Sequence, residues 1–435
     1  MKTETQSETI ERLKATPPVR LINLPRAYAV MKEQGLDAMV ATTHRNLYYA
    51  SGHMPDSVLG DFQDLTAAAI LPADEKMPQT LVASDYDLAY LVTHPTWMPQ
   101  LRMFGAKERS SATFLLEVLS RGIGIETALR EPLRASYTET RKTVEADVYA
   151  ALTRAVNDSL PAEKVRVAFD DLRVGTEVRR RLGDRIEVVD ALHHFRKTRM
   201  VKTPGEVALL RKAAAINDVA VLEAAAAATS GRPLSDMVNA YRVSMVRQGG
   251  TFLGQRGMMF GAGPDGGFVL DNNYAEAKIL SKGDAVVFDC CGKYELYHCD
   301  LARTGIVEQG SARLTALFTV VREALEAAEA KLKPGANTED LKAVAASILT
   351  RGGLDLNLTT LAWHNVGLDV VEYAHPSDRT KGWVVEPGMV MNFELFHRDP
   401  DLGGVHLEDS VHVTANGLEY LSKLPRDVIV TGVSK

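Results

Sequence analysis

The sequence predicts two domains, an α/β unit followed by an α+β unit, and three observations carry that prediction. At 435 residues the chain exceeds what one hydrophobic core organises, since single cores stop growing near roughly 250–300 residues. Strand-like and helix-like stretches alternate through the first half, the pattern of a sheet flanked by helices. Beyond that, long alanine-rich helices alternate with paired strands joined by turns, the pattern of helices packed on antiparallel hairpins.

In the first half, Arg26 to Gln34 carries one apolar face and meets Gly35, so it reads as a helix, with Leu36 to Ala41 following as a strand. Ala67 to Leu71, Thr80 to Ala83, Ala112 to Leu119 and Lys164 to Phe169 continue the alternation. The texture changes near residue 200, where Phe195-Arg196-Lys197-Thr198-Arg199 and Val201-Lys202-Thr203-Pro204-Gly205 form a basic, Pro/Gly-punctuated join. The expected domains are therefore residues 1–200 and 201–435. In the second, helices are predicted from Glu206 to about Thr229, from Ala312 to Leu332 and from Thr338 to Leu349, each stopped by glycine or proline.

Composition narrows the function classes. A hydrophobic content of 46% with 24% charged residues is that of an ordinary soluble protein. A net charge of -6 gives no basic footprint, so neither nucleic acid nor an anionic membrane is an expected partner. No run approaches the ~18 apolar residues of a membrane span. Met1 to Gln6 is polar and lacks the apolar core of an export signal. The expected compartment is the cytoplasm. Three cysteines, Cys290, Cys291 and Cys299, are too few and too odd in number for a disulfide framework. They read as small residues packed on a hairpin, with a soft ligand or nucleophile as the alternative.

Chemistry concentrates in that same stretch. Ala285 to Asp289 and Leu296 to Asp300 flank a turn and read as a β-hairpin. With the turn centred on Tyr294-Glu295, Asp289 lies opposite Asp300, and opposed side chains project to one face. Two carboxylates held that close repel unless a cation lies between them. A second hairpin repeats the pattern. Gly388 to Glu394 is its first strand, His397 to Gly404 its loop and Val405 to Val413 its return, so Glu394 and Glu408 can face each other. Between the hairpins, Trp363-His364-Asn365 offers an imidazole. Four carboxylates and one imidazole suit Mn, Fe, Co or Zn as divalent ions, and bridging carboxylates would hold one or two of them.

The stretches FDCCGKYELYHCDLARTG, HNVGLDVVEYAHP, EPGMVMNFE and GGVHLEDSVHVTANG resemble, in order and spacing, the pita-bread (creatinase/aminopeptidase P/methionine aminopeptidase, M24) family. The likeness covers about residues 200 to 425. The segment GLDAMVATTHRNLYYASGH resembles that family's creatinase-like N-terminal domain more weakly. The resemblance implies a creatinase-like α/β domain followed by a pita-bread catalytic domain. It also implies that Asp289 binds one metal, Asp300 and Glu408 bridge, and His364 and Glu394 bind the second. The family's usual assembly implies a homodimer.

The chain departs from the peptidases of that family at three positions where they carry histidines. The stretch before the first aspartate is Val269-Leu270-Asp271-Asn272-Asn273, and the other two positions are Val371 and Thr360. Protonating an amine leaving group needs a positioned acid. Asp271 and His375 are the candidates for catalytic groups, with His298, His397 and Glu372 behind them. The expected function is therefore a metal-dependent enzyme acting on a small-molecule substrate by hydrolysis or lyase-type cleavage of a C–N, C–S or C–C bond. The alternative is an Xaa-Pro dipeptidase or aminopeptidase, and a non-catalytic binding protein is the third option.

Overall fold

The computed structural model describes residues 20–54, 65–105, 144–252, 258–268 and 277–432. The chain divides into two compact units, Met1–Thr198 and Arg199–Lys435. The predicted element at 112–119 and the candidate Asp271 lie outside the described residues.

The first unit is built on six strands: β1 (Ala38–Ala41), β2 (Ala68–Pro72), β3 (Thr80–Ser84), β4 (Gln100–Phe104), β5 (Val165–Phe169) and β6 (Ile186–Asp190), in the order β4-β3-β2-β1-β5-β6. β2 runs antiparallel to both neighbours, and the remaining pairs are parallel. β1 is buried at every residue, as an apolar strand covered on both faces must be. The preceding helix, Leu24–Gln34, starts where Asn23 accepts the Arg26 N–H and stops at Gly35, whose φ of 61° suits glycine. Asp170, just after β5, accepts from the backbone N–H and hydroxyl of both Thr42 and Thr43 and from Asn46. One carboxylate thereby ties the end of β1 to the helix His44–Ser51.

The second unit contains β7 (Thr251–Phe252), β8 (Met258–Ala262), β9 (Ala285–Cys290), β10 (Gly292–Tyr294), β11 (Tyr297–His298), β12 (Leu301–Val307), β13 (Thr359–Asn365), β14 (Val390–Asp399), β15 (Gly403–Val413), β16 (Leu418–Tyr420) and β17 (Ile429–Thr431). Its main sheet follows the path β13-β14-β15-β12-β9-β8, with β16 beside β15 and β17 beside β12. Helices Pro204–Ala227 and Leu234–Arg247 pack Val221, Ala224 and Tyr241 with Phe260 and Phe288 of the sheet. Helices Ala312–Glu329 and Thr338–Arg351 pack Phe318, Leu325 and Leu349 with Phe393, Leu395 and Leu407. Along β15 the odd residues Val405, Leu407, Val411 and Val413 join that core, which leaves the even residues to the opposite face. None of the described helices is long and apolar enough to cross a membrane.

Two expectations need correction. The loop predicted from His397 to Gly404 is mostly strand, since β14 and β15 stay paired to Asp399 and Gly403. Asp399 Oδ1 accepts the N–H groups of Asp401 and Leu402, so a tight Asp-anchored turn replaces the long loop. The first hairpin turns one residue later than expected. Tyr294 pairs with Tyr297, and Glu295 and Leu296 take left-handed φ values of 44° and 65°.

Helix Pro204–Ala227 begins with a reciprocal cap. Thr203 Oγ1 accepts the Glu206 N–H, and Glu206 Oε2 accepts the Thr203 N–H at 2.8 Å. Glu206 is only 1% exposed, Tyr297 donates its hydroxyl to it at 3.1 Å, and burial pushes its pKa up to about 8 from 4.5. A raised folded-state pKa gives stability that is complete below pH 4.5 and lost as the pH rises through about 8. Glu206→Gln mimics the protonated form. Melting curves from pH 4.5 to 8 should show the wild type losing stability relative to this variant as the pH rises. Parallel curves would mean that the carboxyl titrates normally.

Candidate metal centre

The site lies on the sheet face opposite the aromatic cores and assembles in rows across neighbouring strands. Directly opposed residues of antiparallel strands project to the same face. Asp289 on β9 pairs with Ala302 on β12, and Ala302 pairs with Glu408 on β15. The β14–β15 register, Asn392 with Ser410 and Leu395 with Leu407, sets Glu394 opposite Glu408. Two residues along, His364 on β13 pairs with Asn392 on β14. Asp300 immediately precedes β12, and Cys291 immediately follows β9. The later turn of the first hairpin makes Ala302, not Asp300, the partner of Asp289. The continued register aligns Asp300 with Cys291, whose Sγ lies 3.1 Å from Asp300 Oδ1 and 3.9 Å from Asp289 Oδ1.

His364 Nε2 stands 3.2 Å from Glu408 Oε1 and 3.6 Å from Asp300 Oδ2. Its Nδ1 donates to the carbonyl of Asn365 at 3.1 Å, which fixes the ring with Nε2 facing the cluster. Asn392 Nδ2 donates to Glu408 Oε1 and to the Asp300 carbonyl, both at 3.0 Å. Ser410 Oγ lies 3.0 Å from that carbonyl and 2.8 Å from Asn392 Oδ1. Asn392 and Ser410 thus hold Asp300 and Glu408 in register.

Burial and mutual repulsion dominate the electrostatics. Asp289, Asp300 and Glu408 are at most 5% exposed. Burial, and then the charge of Glu408, pushes the Asp289 and Asp300 carboxyls well above the usual range. The same causes take Glu394 up to about 7. Burial also opposes ionisation of Glu408, but the hydrogen bond and charge of His364 outweigh it and hold Glu408 low. Reciprocally, burial opposes protonation of His364, and Glu408 more than offsets it, so the imidazole pKa is raised. No lysine or arginine among the described residues forms an ion pair with Asp289, Asp300 or Glu408. A dry cluster of carboxylates without a cation is costly, and Asp300, His364 and Glu408 bring donor atoms close enough for one ion, as do Asp289, Cys291 and Asp300. This hard, oxygen-rich donor set fits divalent metals.

Behind the cluster, Arg303 is 1% exposed and spends its guanidinium on structure. It donates to Asp409 Oδ1 at 2.7 Å and to the carbonyls of Glu408, Leu424 and Pro425 at 2.9, 3.1 and 2.9 Å. Arg426 joins Asp409 to Glu329. The backbone that carries Glu408 is therefore clamped from the far side of the sheet.

Comparison with known proteins places these residues in a family. Residues 208–415 match the metallopeptidase family M24, and residues 24–201 match the creatinase/prolidase N-terminal domain. The chain thus carries an M24 domain behind a creatinase/prolidase N-terminal domain. An Xaa-Pro dipeptidase of Pyrococcus horikoshii is 29% identical over 235 residues, 54% of this chain and 66% of that one. One from Pyrococcus furiosus is 29% identical over 53% of this chain and 65% of its own length. The matches thus span just under two thirds of these two relatives. A probable dipeptidase, PepE, of Mycobacterium tuberculosis is 27% identical over 85% of this chain and 96% of its own length. In fold, the chain is similar to the prolidase of Pyrococcus horikoshii, with a TM-score of 0.68 and 20% identity over 93% of this chain and 99% of that one. The expected fold class holds: a creatinase-like N-terminal domain precedes an M24 catalytic domain, and M24 enzymes use divalent metals.

The other groups singled out in the sequence have partners of their own. His375 is exposed, with Nδ1 2.7 Å from Ser377 Oγ beside the short helix Asp378–Lys381, so it is not among the buried groups around Glu408. Glu372 is buried against Lys202 Nζ at 2.8 Å and Arg199 Nε at 3.3 Å. Burial opposes its ionisation, but Lys202 and Arg199 hold its pKa low. His298 Nδ1 lies 3.1 Å from the Gly367 carbonyl, and His397 Nδ1 lies 2.9 Å from Thr359 Oγ1. Val371 is 47% exposed, and Thr360 Oγ1 accepts from Arg398 at 2.9 Å.

One group escaped the sequence reasoning. His406 is fully buried, with nitrogens 3.8–3.9 Å from carboxylate oxygens of Asp289, Glu394 and Glu408. Burial lowers its pKa to about 4. The signal was its position two residues before Glu408, which puts both side chains on one face of a strand.

Proposed function

We propose that this M24 chain is a metal-dependent hydrolase that cleaves Xaa-Pro dipeptides. Asp289, Asp300, His364, Glu394 and Glu408 would hold one or two divalent ions from among Mn, Fe, Co and Zn. The observation that carries this reading is the buried carboxylate cluster around His364, unpaired with any described lysine or arginine. It occurs in a chain whose relatives bear Xaa-Pro dipeptidase names. The catalytic half is taken as residues 201–435 and the creatinase-like domain as residues 1–200, in a cytoplasmic homodimer.

A divalent pair supplies Lewis acidity and a nucleophilic water at neutral pH. The chain's own residues supply position. His364 keeps its Nε2 facing the cluster through its Nδ1 hydrogen bond, Asn392 orients Glu408, and Arg303 fixes the strand that carries it. Burial excludes bulk water from the carboxylates, which strengthens their hold on a cation.

A second reading, hydrolysis of another small amide, draws on one observation. On the family resemblance, Thr360 and Val371 stand where its peptidases carry imidazoles, and neither side chain is an acid that titrates near the working pH. The lyase option draws no support from the relatives and is not proposed. Comparison of kcat/KM for Xaa-Pro dipeptides, other dipeptides and small amides separates the two. Preference for Xaa-Pro supports the dipeptidase. Turnover confined to non-peptide amides would replace it with the second reading.

A further inference from the structure

His406 is the one buried imidazole of the catalytic face to which neither the fold nor the ligand set above gives a task. It projects from β15 on the same side as Glu408, two residues nearer the hairpin turn. Phe396, its direct partner on β14, stacks on it with ring centroids 4.6 Å apart and planes at 18°, which fixes the plane of the imidazole. The ring is fully buried, and neither nitrogen has a hydrogen-bond partner among the described residues. Burying a polar nitrogen without a partner costs roughly 1–3 kcal/mol, so a buried imidazole with both nitrogens unmatched calls for a missing partner.

The distances indicate which kind. Nε2 lies 3.8 Å from Glu394 Oε1 and 3.9 Å from Glu408 Oε2, and Nδ1 lies 3.9 Å from Asp289 Oδ2. These separations exceed the roughly 2.7–3.2 Å of a hydrogen bond. Two donors each about 2.0–2.2 Å from a shared ion stand at most about 4.4 Å apart. The spacing is therefore too wide for direct hydrogen bonding and narrow enough for an ion between the groups. On the ligand set proposed above, we propose that His406 Nε2 is a further donor to the divalent metal held by Glu394 and Glu408. The centre then contains two imidazoles, His364 and His406, rather than one. A second nitrogen donor moves the site's preference from manganese toward the borderline ions cobalt and zinc.

The test is X-ray absorption on the full chain loaded with Co²⁺, in which the scattering of the imidazole ring reports how many histidines bind. The expected result is two imidazoles per protein in the wild type and one in His406→Gln, with Co²⁺ affinity weakened by about 10- to 100-fold. A count of one in the wild type overturns the inference without reference to any variant. An unchanged count in a folded His406→Gln protein does the same, and would make His406 a group that positions the carboxylates. A wild-type chain that takes up no Co²⁺ would instead overturn the proposed ligand set itself, so the two failures are distinguishable.

Discussion

Asp300→Ala is expected to lower Xaa-Pro dipeptide turnover by roughly a thousandfold and to reduce bound metal, while the metal-free protein melts no lower than the wild type. The two halves of this result have one cause. Asp300 is 5% exposed, and burial, followed by the charges of Glu408 and Asp289, pushes its carboxyl well above the usual range. Without a cation, that carboxylate is a burden on the fold, and its removal relieves repulsion. With a cation, it is a ligand. If the metal's stabilisation of the transition state falls by about 4 kcal/mol, the rate falls roughly a thousandfold. Elemental analysis, turnover and a melting curve of the metal-free variant check the three parts. Full activity with unchanged metal content would remove Asp300 from the site.

Arg303→Met is expected to cost about 3–5 kcal/mol of folding stability, the penalty for breaking a buried ion pair from one side. The guanidinium reaches Asp409 on one side and the carbonyls of Glu408, Leu424 and Pro425 on the others. Methionine keeps much of the volume and satisfies none of these acceptors. Asp409 would retain Arg426 at 2.8 Å, so the loss should be partial and not a collapse. Because Arg303 also holds the backbone of Glu408, metal affinity should fall along with the denaturation midpoint. A shift under about 1 kcal/mol would mean that other groups satisfy these carbonyls.

Local rules made much of the fold legible. The helices at Pro204–Ala227, Ala312–Glu329 and Thr338–Arg351 are alanine-rich runs ended by glycine and proline, and such stops depend on a few neighbouring residues. The site was legible as spacing. Asp289, Asp300, His364, Glu394 and Glu408 lie on strands or strand ends whose alternation is readable before any pairing is known; the structure groups Asp300, His364 and Glu408, sets Asp289 beside Asp300 and Cys291, and sets Glu394 opposite Glu408.

What could not be read depended on register and on long-range partners. The first hairpin turns at Glu295-Leu296, and no asparagine or glycine there announces the left-handed conformation. A turn moved by one residue exchanged Asp300 for Ala302 as the partner of Asp289 and brought Cys291 beside Asp300. His406 escaped notice because its relation to Asp289 and Glu394 exists only across three strands. The clamp on Arg303 joins positions more than a hundred residues apart, which no local pattern encodes.

The most direct test of the central claim is Xaa-Pro dipeptide turnover measured with elemental analysis on gently purified protein, after chelation and after return of Mn²⁺ or Co²⁺. The account predicts one or two equivalents of metal, turnover that disappears with the metal and turnover that returns with it. Dipeptide cleavage that persists in protein shown to be free of metal would contradict it.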